Sequence, residues 1–383
     1  MPQLQFAPDW AALTATNVAK VKRGMAEREI GLLAVNNVDN VRYLTGYSPV
    51  SGPFMVHANW AVLPVEAERP ILFGFNFYLD SIRSAFPWLP DVRPLPASMP
   101  HAITELAAEH GLTSGRIGFD GYLPYTLGKE LEALLPVAEI VNADDAILGA
   151  RMIKEPAELE IVRRAVAIGE MGMRAGIDAC VEGAMEFEAS AAADHAMRSF
   201  GAEAVPYSSI VTAGENAAIM QELSTDKIMR NGEVVMLDLG CMFEGYHSDF
   251  ARSVLVGSGP ATAEQKSAYG AIKAALEAML AEIRPGASCG QIEAVAREAI
   301  TEAGFGEHAY TYFPGHGIGM SPWEPPIIDV GATAELQAGM VIDIEPGIHK
   351  PGVAGMRLEE TVLVTDDGCE VLTKTEFSEE LLD

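Results

Sequence analysis

The sequence predicts two domains, an N-terminal α/β domain followed by a C-terminal α+β domain whose helices cover an antiparallel sheet. Three observations carry that expectation. The chain has 383 residues, about two to three times a common domain length. Its first 150 or so residues alternate helical and strand-like patterns without a polar linker. Beyond them, one order of elements (helix, helix, extended segment, hairpin) occurs twice. Apolar residues make up 49% of the chain, enough for large cores and too many for a disordered protein.

Val18, Val21 and Met25 recur at helical spacing, and the short apolar run 31–35 then reads as a buried strand. The tract NNVDNVRYLTGY (36–47) reads as a loop and re-entry. Strands follow at NWAVLP (59–64) and RPILFGF (69–75), a helix at HAITELAAEHGL (101–112), and a strand at RIGFD before the turn residues Asp120-Gly121. The style changes at RMIKEPAELEIVRRA, where Pro156 suits a first helical position and Leu159, Val162 and Val166 form one apolar stripe. Helices are expected over 157–180 and 186–200, then an extended segment at 208–220 and a hairpin at 233–256. The second round gives helices over 263–283 and 289–303, an extended segment at 310–320 and a hairpin at 340–364. No residue-level repeat links the halves, but the repeated order predicts a pseudo-symmetric domain.

With 54 acidic and 26 basic side chains the net charge is −28. Such a field repels phosphate backbones and anionic membrane surfaces, so neither nucleic acid nor membrane is expected as a partner. Cys180, Cys241, Cys289 and Cys369 stand far apart without a CxxC spacing, which fits reduced thiols in a cytoplasm. No basic stretch followed by an apolar run opens the chain, and no apolar run is long enough to span a bilayer. A cytoplasmic protein is expected.

The chemistry concentrates in the two hairpins. Asp238 lies within the apolar run VVMLDLG, where an ionised carboxylate costs several kcal/mol unless compensated. Asp249 follows in GYHSDFARSV, and a turn centred at Phe243–Glu244 would set the two acids face to face. Directly opposed side chains lie about 4.5–5.5 Å apart at Cβ, so two carboxylates there repel unless a cation lies between them. In the second hairpin Glu345 and Glu359 are symmetric about Gly352. Between the hairpins stands His316, whose flanking glycines permit a close backbone approach. Four carboxylates and one imidazole suit two divalent cations, and oxygen-dominated ligation favours Mn²⁺, with Co²⁺, Zn²⁺ and Fe²⁺ as alternatives. Each residue alone has a plainer reading. Asp238 could be a hydrogen-bonded turn acid, His316 a structural imidazole, and Glu345 and Glu359 could pair with Arg357 and Arg252. All five together on matching hairpins are much harder to explain without metal.

The tracts LDLGCMFEGYHSDFARS, GHGIGMSPWEPP, DIEPGI and GMRLEETVLVT resemble the metal-site motifs of the pita-bread metallopeptidase family, which includes aminopeptidase P, prolidase, methionine aminopeptidase and creatinase. The tract GLLAVNNVDNVRYLTGY resembles the creatinase-type N-terminal domain of the prolidase branch. The resemblance implies a creatinase-like domain over 1–152 and a pita-bread metallohydrolase domain over 153–383. It implies that Asp238 holds one metal, that Asp249 and Glu359 bridge two, and that His316 and Glu345 complete the second. Glu345 would be the general base for a metal-activated water, and Arg357 would support the site, meet a substrate carboxylate or offset surplus negative charge. A homodimer is also implied, in which the N-terminal domain completes the partner's site; His57 is a candidate for that contact.

The chain departs from that family at three substrate-facing positions. Gln221 closes the NAAIMQ tract, Tyr312 lies four residues before His316, and Trp323 precedes Glu324, each where the branch usually has histidine. Neither Gln nor Tyr titrates near neutrality, and Trp offers an apolar or cation-binding face. His247, His308 and His349 are candidates to replace a missing histidine. The expected function is hydrolysis of a C–N bond in an Xaa-Pro dipeptidase- or aminopeptidase-like reaction on a short peptide. The alternative is a non-peptidase member acting on a small zwitterion, as dimethylsulfoniopropionate lyase, ectoine hydrolase and creatinase do. A non-catalytic binding module ranks last, because a decayed site has no reason to keep five buried charges.

Overall fold

The computed structural model describes residues 6–48, 59–121, 123–220, 223–309 and 314–382. His57, Gln221 and Tyr312 lie outside the described residues. The chain forms two compact units, one of Ala7–Arg151 and one of Phe6 with the residues from Met152 onward.

The first unit runs α1 (Trp10–Glu27), β1 (Ile30–Val35), α2 (Val38–Thr45), β2 (Trp60–Pro64), β3 (Ile71–Gly74), α3 (Leu79–Ala85), β4 (Val92–Pro94), α4 (Met99–Glu109), β5 (Gly115–Phe119), α5 (Tyr125–Leu134), β6 (Ala138–Asn142) and α6 (Asp144–Met152). Its strands form one mixed sheet in the order β4-β3-β2-β1-β5-β6. On one side Leu32, Trp60, Phe73 and Ile117 meet Ile103 and Leu106 of α4 and Leu131 of α5 in one apolar cluster. The segment expected as a loop after β1 is instead the helix α2. The Asn37 side chain accepts from the amides of Asp39 and Asn40, and Gly46 ends the helix in the left-handed region at φ 77°. Eight residues carry too few turns for an apolar period to show in sequence, but the two caps were there to be read.

The second unit runs α7 (Pro156–Ala179), α8 (Glu186–Ser199), β7 (Ile210–Ala213), α9 (Glu215–Ala218), β8 (Val234–Leu239), β9 (Met242–Phe243), β10 (Tyr246–His247) and β11 (Phe250–Leu255). It continues with α10 (Ala263–Glu282), α11 (Cys289–Glu302), β12 (Gly315–Gly317), β13 (Glu324–Ile327), β14 (Val341–Ile344), β15 (Gly347–Lys350), β16 (Ala354–Arg357), β17 (Glu360–Val364), β18 (Cys369–Val371) and α12 (Glu379–Leu382). Helices α7 and α8 pack together, as do α10 and α11. Every described strand pair in this unit is antiparallel. β8 lies between β7 and β11, and β14 lies between β12 and β17, so each half has a central strand flanked by the same order of neighbours. The segment 208–220 is strand only at its start, because the single turn α9 follows β7.

Register decides where the acids point. In the first hairpin Asp238 pairs with Ala251, not with Asp249. The reversal occurs at Glu244–Gly245, whose φ angles of 49° and 80° make the two-residue turn that matches strand twist. That places the turn one residue later than Phe243–Glu244 and shifts the pairing by two. Because side chains alternate with period two, Asp249 stays on the same face as Asp238, as its diagonal neighbour. The second hairpin pairs symmetrically about Gly352, with Ile344 opposite Glu360 and Gly347 opposite Arg357, so Glu345 and Glu359 fall between these pairs.

β12, which carries His316, is wedged between β13 and β14. A Cβ on Gly315 would lie 2.4 Å from the Asp343 carbonyl oxygen, and one on Gly317 would lie 2.3 Å from that of Pro325. Both obstacles are backbone and cannot swing away. Gly315→Ala is therefore expected to destabilise the protein by roughly 1–3 kcal/mol or more. A chemical denaturation midpoint equal to wild type would contradict the wedge.

Candidate metal centre

Six ionisable side chains converge in the second unit, and all are buried: Asp238, Asp249, His316, Asp343, Glu345 and Glu359. Asp238 is on β8, Asp249 precedes β11, and His316 is on β12. Asp343 is on β14, with Glu345 just beyond it, and Glu359 precedes β17. Asp249, His316, Asp343 and Glu359 each offer a ligand atom within 4.8 Å of the others, as do Asp238, Glu345 and Glu359. Strand geometry explains the convergence. His316, Asp343 and Thr361 lie abreast on β12, β14 and β17, and Glu345 and Glu359 are two residues from Asp343 and Thr361, hence on the same face.

Little positive charge answers this set. The Arg357 guanidinium hydrogen-bonds Asp238 and lies 3.2 Å from a Glu345 oxygen. Arg252 pairs with Glu360 at 3.1 Å and donates to the Glu359 carbonyl oxygen at 2.6 Å. Lys154 is committed to Glu324 at 2.8 Å. Oε2 of Glu359 and both carboxylate oxygens of Asp343 are buried without a hydrogen-bond partner. Burial, then neighbouring carboxylates, pushes Asp249 and Glu359 well above the usual carboxyl range. Burial also raises Asp343 well above it, eased by the Thr361 hydroxyl and Lys154 and reinforced by Glu345 and Asp238. Glu345 is raised by burial to about 8, with Arg357 pulling the other way.

His316 completes the donor set. Burial lowers its pKa to about 4, so the ring is neutral near pH 7. Nδ1 lies 3.2 Å from the Gly317 carbonyl oxygen, which can only accept, so the proton sits on Nδ1 and the lone pair on Nε2. Nε2 lies 3.5 Å from Glu345 Oε1, inside the cluster. A neutral imidazole among buried carboxylates with orphaned oxygens is a donor set that divalent cations fit.

Comparison with known proteins agrees with that geometry. Residues 160–366 match the model of metallopeptidase family M24, and residues 18–153 match that of the creatinase/prolidase N-terminal domain. The chain belongs to metallopeptidase family M24. An Xaa-Pro dipeptidase of Pyrococcus furiosus is 30% identical over 357 residues, covering 93% of this chain and 97% of that protein. One of Pyrococcus horikoshii is 29% identical over 360 residues, covering 94% and 97%. The solved prolidase of Pyrococcus furiosus superposes with a TM-score of 0.80 at 28% identity, covering 93% of this chain and 99% of that one. The two-domain fold of this M24 member is thus a creatinase-type N-terminal domain and a pita-bread catalytic domain. Among the described residues no helix is long and apolar enough to cross a membrane.

Of the residues by which the chain departs from its family, Trp323 is described. Its ring meets His316 edge-on at 5.5 Å between centroids while 52% of the residue stays exposed, so it stands at the rim of the cluster. The candidate replacement histidines are less apt. His349 is buried and donates Nδ1–H to the Ala217 carbonyl oxygen at 2.8 Å, and burial, with Arg357 acting in the same direction, lowers its pKa to about 4. It does not titrate near neutrality. His247 is buried with Nδ1 3.2 Å from the Gly319 carbonyl oxygen, and His308 is half-buried on the single turn Gly306–His308.

Two residues of this M24 site escaped the sequence reading. Tyr207 donates to the Asp249 carboxylate and lies 3.4 Å from an Asp238 oxygen. Burial and these acids raise its phenol well above its usual value, so it remains a donor. It sits in an irregular segment before β7, where no periodicity assigns a direction. Asp343 was legible, since two residues before Glu345 on a strand means the same face.

The raised carboxyl values set a pH dependence. A carboxyl whose pKa rises on folding stabilises fully below its unfolded value, and that contribution is lost as pH climbs through the folded value. His316 and His349, lowered from 6.5 to about 4, act oppositely between those values. Above 6.5 only the carboxyls contribute, so protein stripped by chelator should lose thermal stability up to about pH 8, where Glu345 ionises. Metal-loaded protein should not. A melting temperature of the stripped protein that stays flat or rises over that window would count against the electrostatic account.

Proposed function

We propose that this chain is a metal-dependent hydrolase that cleaves the C–N bond of Xaa-Pro dipeptides or short Xaa-Pro peptides. The observation that carries the reading is a buried set of carboxylates around a neutral imidazole, answered among the described residues by the Arg357 guanidinium. The names of the Pyrococcus relatives support the peptide class. Asp238, Asp249, His316, Glu345 and Glu359 would hold two divalent cations, with Asp249 and Glu359 shared between them and Mn²⁺ the first choice for an oxygen-rich set. When bound, the cations supply Lewis acidity toward a water nucleophile and the scissile carbonyl. Glu345 would take the proton released during attack at a carboxylate oxygen, held in place by the Arg357 guanidinium 3.2 Å away. Tyr207 would fix the orientation of Asp249 through its hydroxyl. Gln221 and Tyr312 would bind the substrate backbone by hydrogen bonds, and Trp323 would form one wall.

A second reading rests on Trp323, whose half-exposed ring beside His316 suits a cationic or apolar small molecule. On that reading the substrate is a small zwitterionic metabolite. Xaa-Pro dipeptides and tripeptides assayed beside ectoine, dimethylsulfoniopropionate and creatine separate the two. We further propose a cytoplasmic homodimer, supported by the reduced thiols and by the exposed aromatic group Phe77 and Tyr78 on the first unit, where Phe77 is 71% exposed.

Elemental analysis after Mn²⁺ reconstitution should find about two ions per chain, and far fewer in Asp249→Ala. Glu345→Gln should reduce turnover of Xaa-Pro dipeptides by about 10²–10⁴-fold. Equal, negligible metal in wild type and Asp249→Ala would sink the proposal. For the assembly, light scattering at micromolar concentration should give twice the chain mass of 40.9 kDa; the mass of one chain would refute the dimer.

A further inference from the structure

We infer that Asp343 is a sixth protein ligand of the metal centre, held by the cation that His316 binds; this rests on the dinuclear reading above and extends it. Asp343 occupies β14, the central strand of its sheet, with His316 opposite on one side and Thr361 on the other. It is fully buried, and neither carboxylate oxygen accepts a hydrogen bond. A carboxylate in that state costs several kcal/mol unless something positive meets it.

Among the described residues no Lys or Arg forms an ion pair with Asp343, and Lys154, whose charge does act on it, is paired with Glu324. Arg357 serves Asp238 and Glu345, Arg252 serves Glu360, and Lys154 serves Glu324. The Thr361 hydroxyl beside it donates to the Asp249 carbonyl oxygen at 2.8 Å. What does stand within 4.8 Å of an Asp343 oxygen is a ligand atom from each of Asp249, His316 and Glu359.

A supporting role behind His316 is the competing explanation, since carboxylates often orient a ligating imidazole. Here that role is filled. The Nδ1 proton goes to the Gly317 carbonyl oxygen at 3.2 Å, whereas Asp343 lies 4.0 Å from the same nitrogen, beyond hydrogen-bond reach. The sheet itself does not call for an acid there either. In the other half of the domain, the residue two before Asp238 on the central strand is the buried, uncharged Met236, opposite Ser253 and Thr212.

Charge supports the assignment. Asp238, Asp249, Asp343, Glu345 and Glu359 with Arg357 leave four negative charges, which two divalent cations neutralise. With Asp249, Glu345 and Glu359, Asp343 gives the His316 side four carboxylates and one imidazole, an oxygen-dominated position suited to Mn²⁺ or Fe²⁺.

The test is calorimetric titration of the stripped full-length protein with Mn²⁺ alone, for wild type, Asp343→Asn and Asp343→Ser. Visible spectra of the Co²⁺ forms report the ligand environment independently of activity. Wild type should take two ions, and both variants should hold one of them more than about 100-fold more weakly, beyond the roughly 10–100-fold that loss of an outer-shell partner costs, with a changed Co²⁺ spectrum. Thermal unfolding of the stripped proteins checks folding, and the variants should be at least as stable as wild type. Two ions bound at wild-type affinity in both variants would overturn the inference and leave the dinuclear reading standing. Loss of the stripped fold in both variants would mark Asp343 as a scaffold group and overturn it equally. Failure of wild type to bind any ion would overturn the dinuclear reading and this one with it.

Discussion

The C-terminal unit is organised around an excess of buried negative charge. Burying one carboxylate without a partner already costs several kcal/mol, and this unit gathers five, with one imidazole, into two clusters that share Glu359. The surroundings are otherwise apolar. Leu237, Leu239 and Phe250 flank the acids of the first hairpin, and Ile342, Ile344 and Leu358 those of the second. The sheet tolerates charge because antiparallel strands hold the acids at fixed spacing, where a cation can reach several at once. The wedged strand β12, the two hairpins and the Arg357 counter-charge all serve that spacing.

Much of this was legible in the sequence because the residues that matter are out of place. An aspartate in VVMLDLG or a glutamate in VIDIEPGI is conspicuous against its neighbours, and hairpin symmetry about Gly352 put Glu345 and Glu359 together correctly. The first hairpin was harder. Glycine marked the reversal near 243–245, but a turn with both central residues at positive φ admits glutamate at 244 only at some strain, so the sequence pointed one residue too early. The face of Asp249 survived that error because the displacement in pairing was even.

Elsewhere the pattern fell silent for identifiable reasons. α2 is too short to display a period, and its signals are the caps Asn37 and Gly46. Tyr207 reaches the acids from irregular backbone, where only the folded chain determines direction. Asp343 differs from both, since its alternation with Glu345 was plain. It went unread because four carboxylates already satisfied the expected shell.

The type of turn joining β9 to β10 carries a consequence for how this chain tolerates change in length. Ladder pairing on both sides of Glu244–Gly245 is set by a loop of two residues. An insertion or deletion of one residue there would rotate every side chain of β11 to the opposite face of its sheet. Asp249 would then point into the packing beneath α7, and an apolar neighbour would point at Asp238. The number of residues in that loop is therefore as much a part of the centre as the ligands.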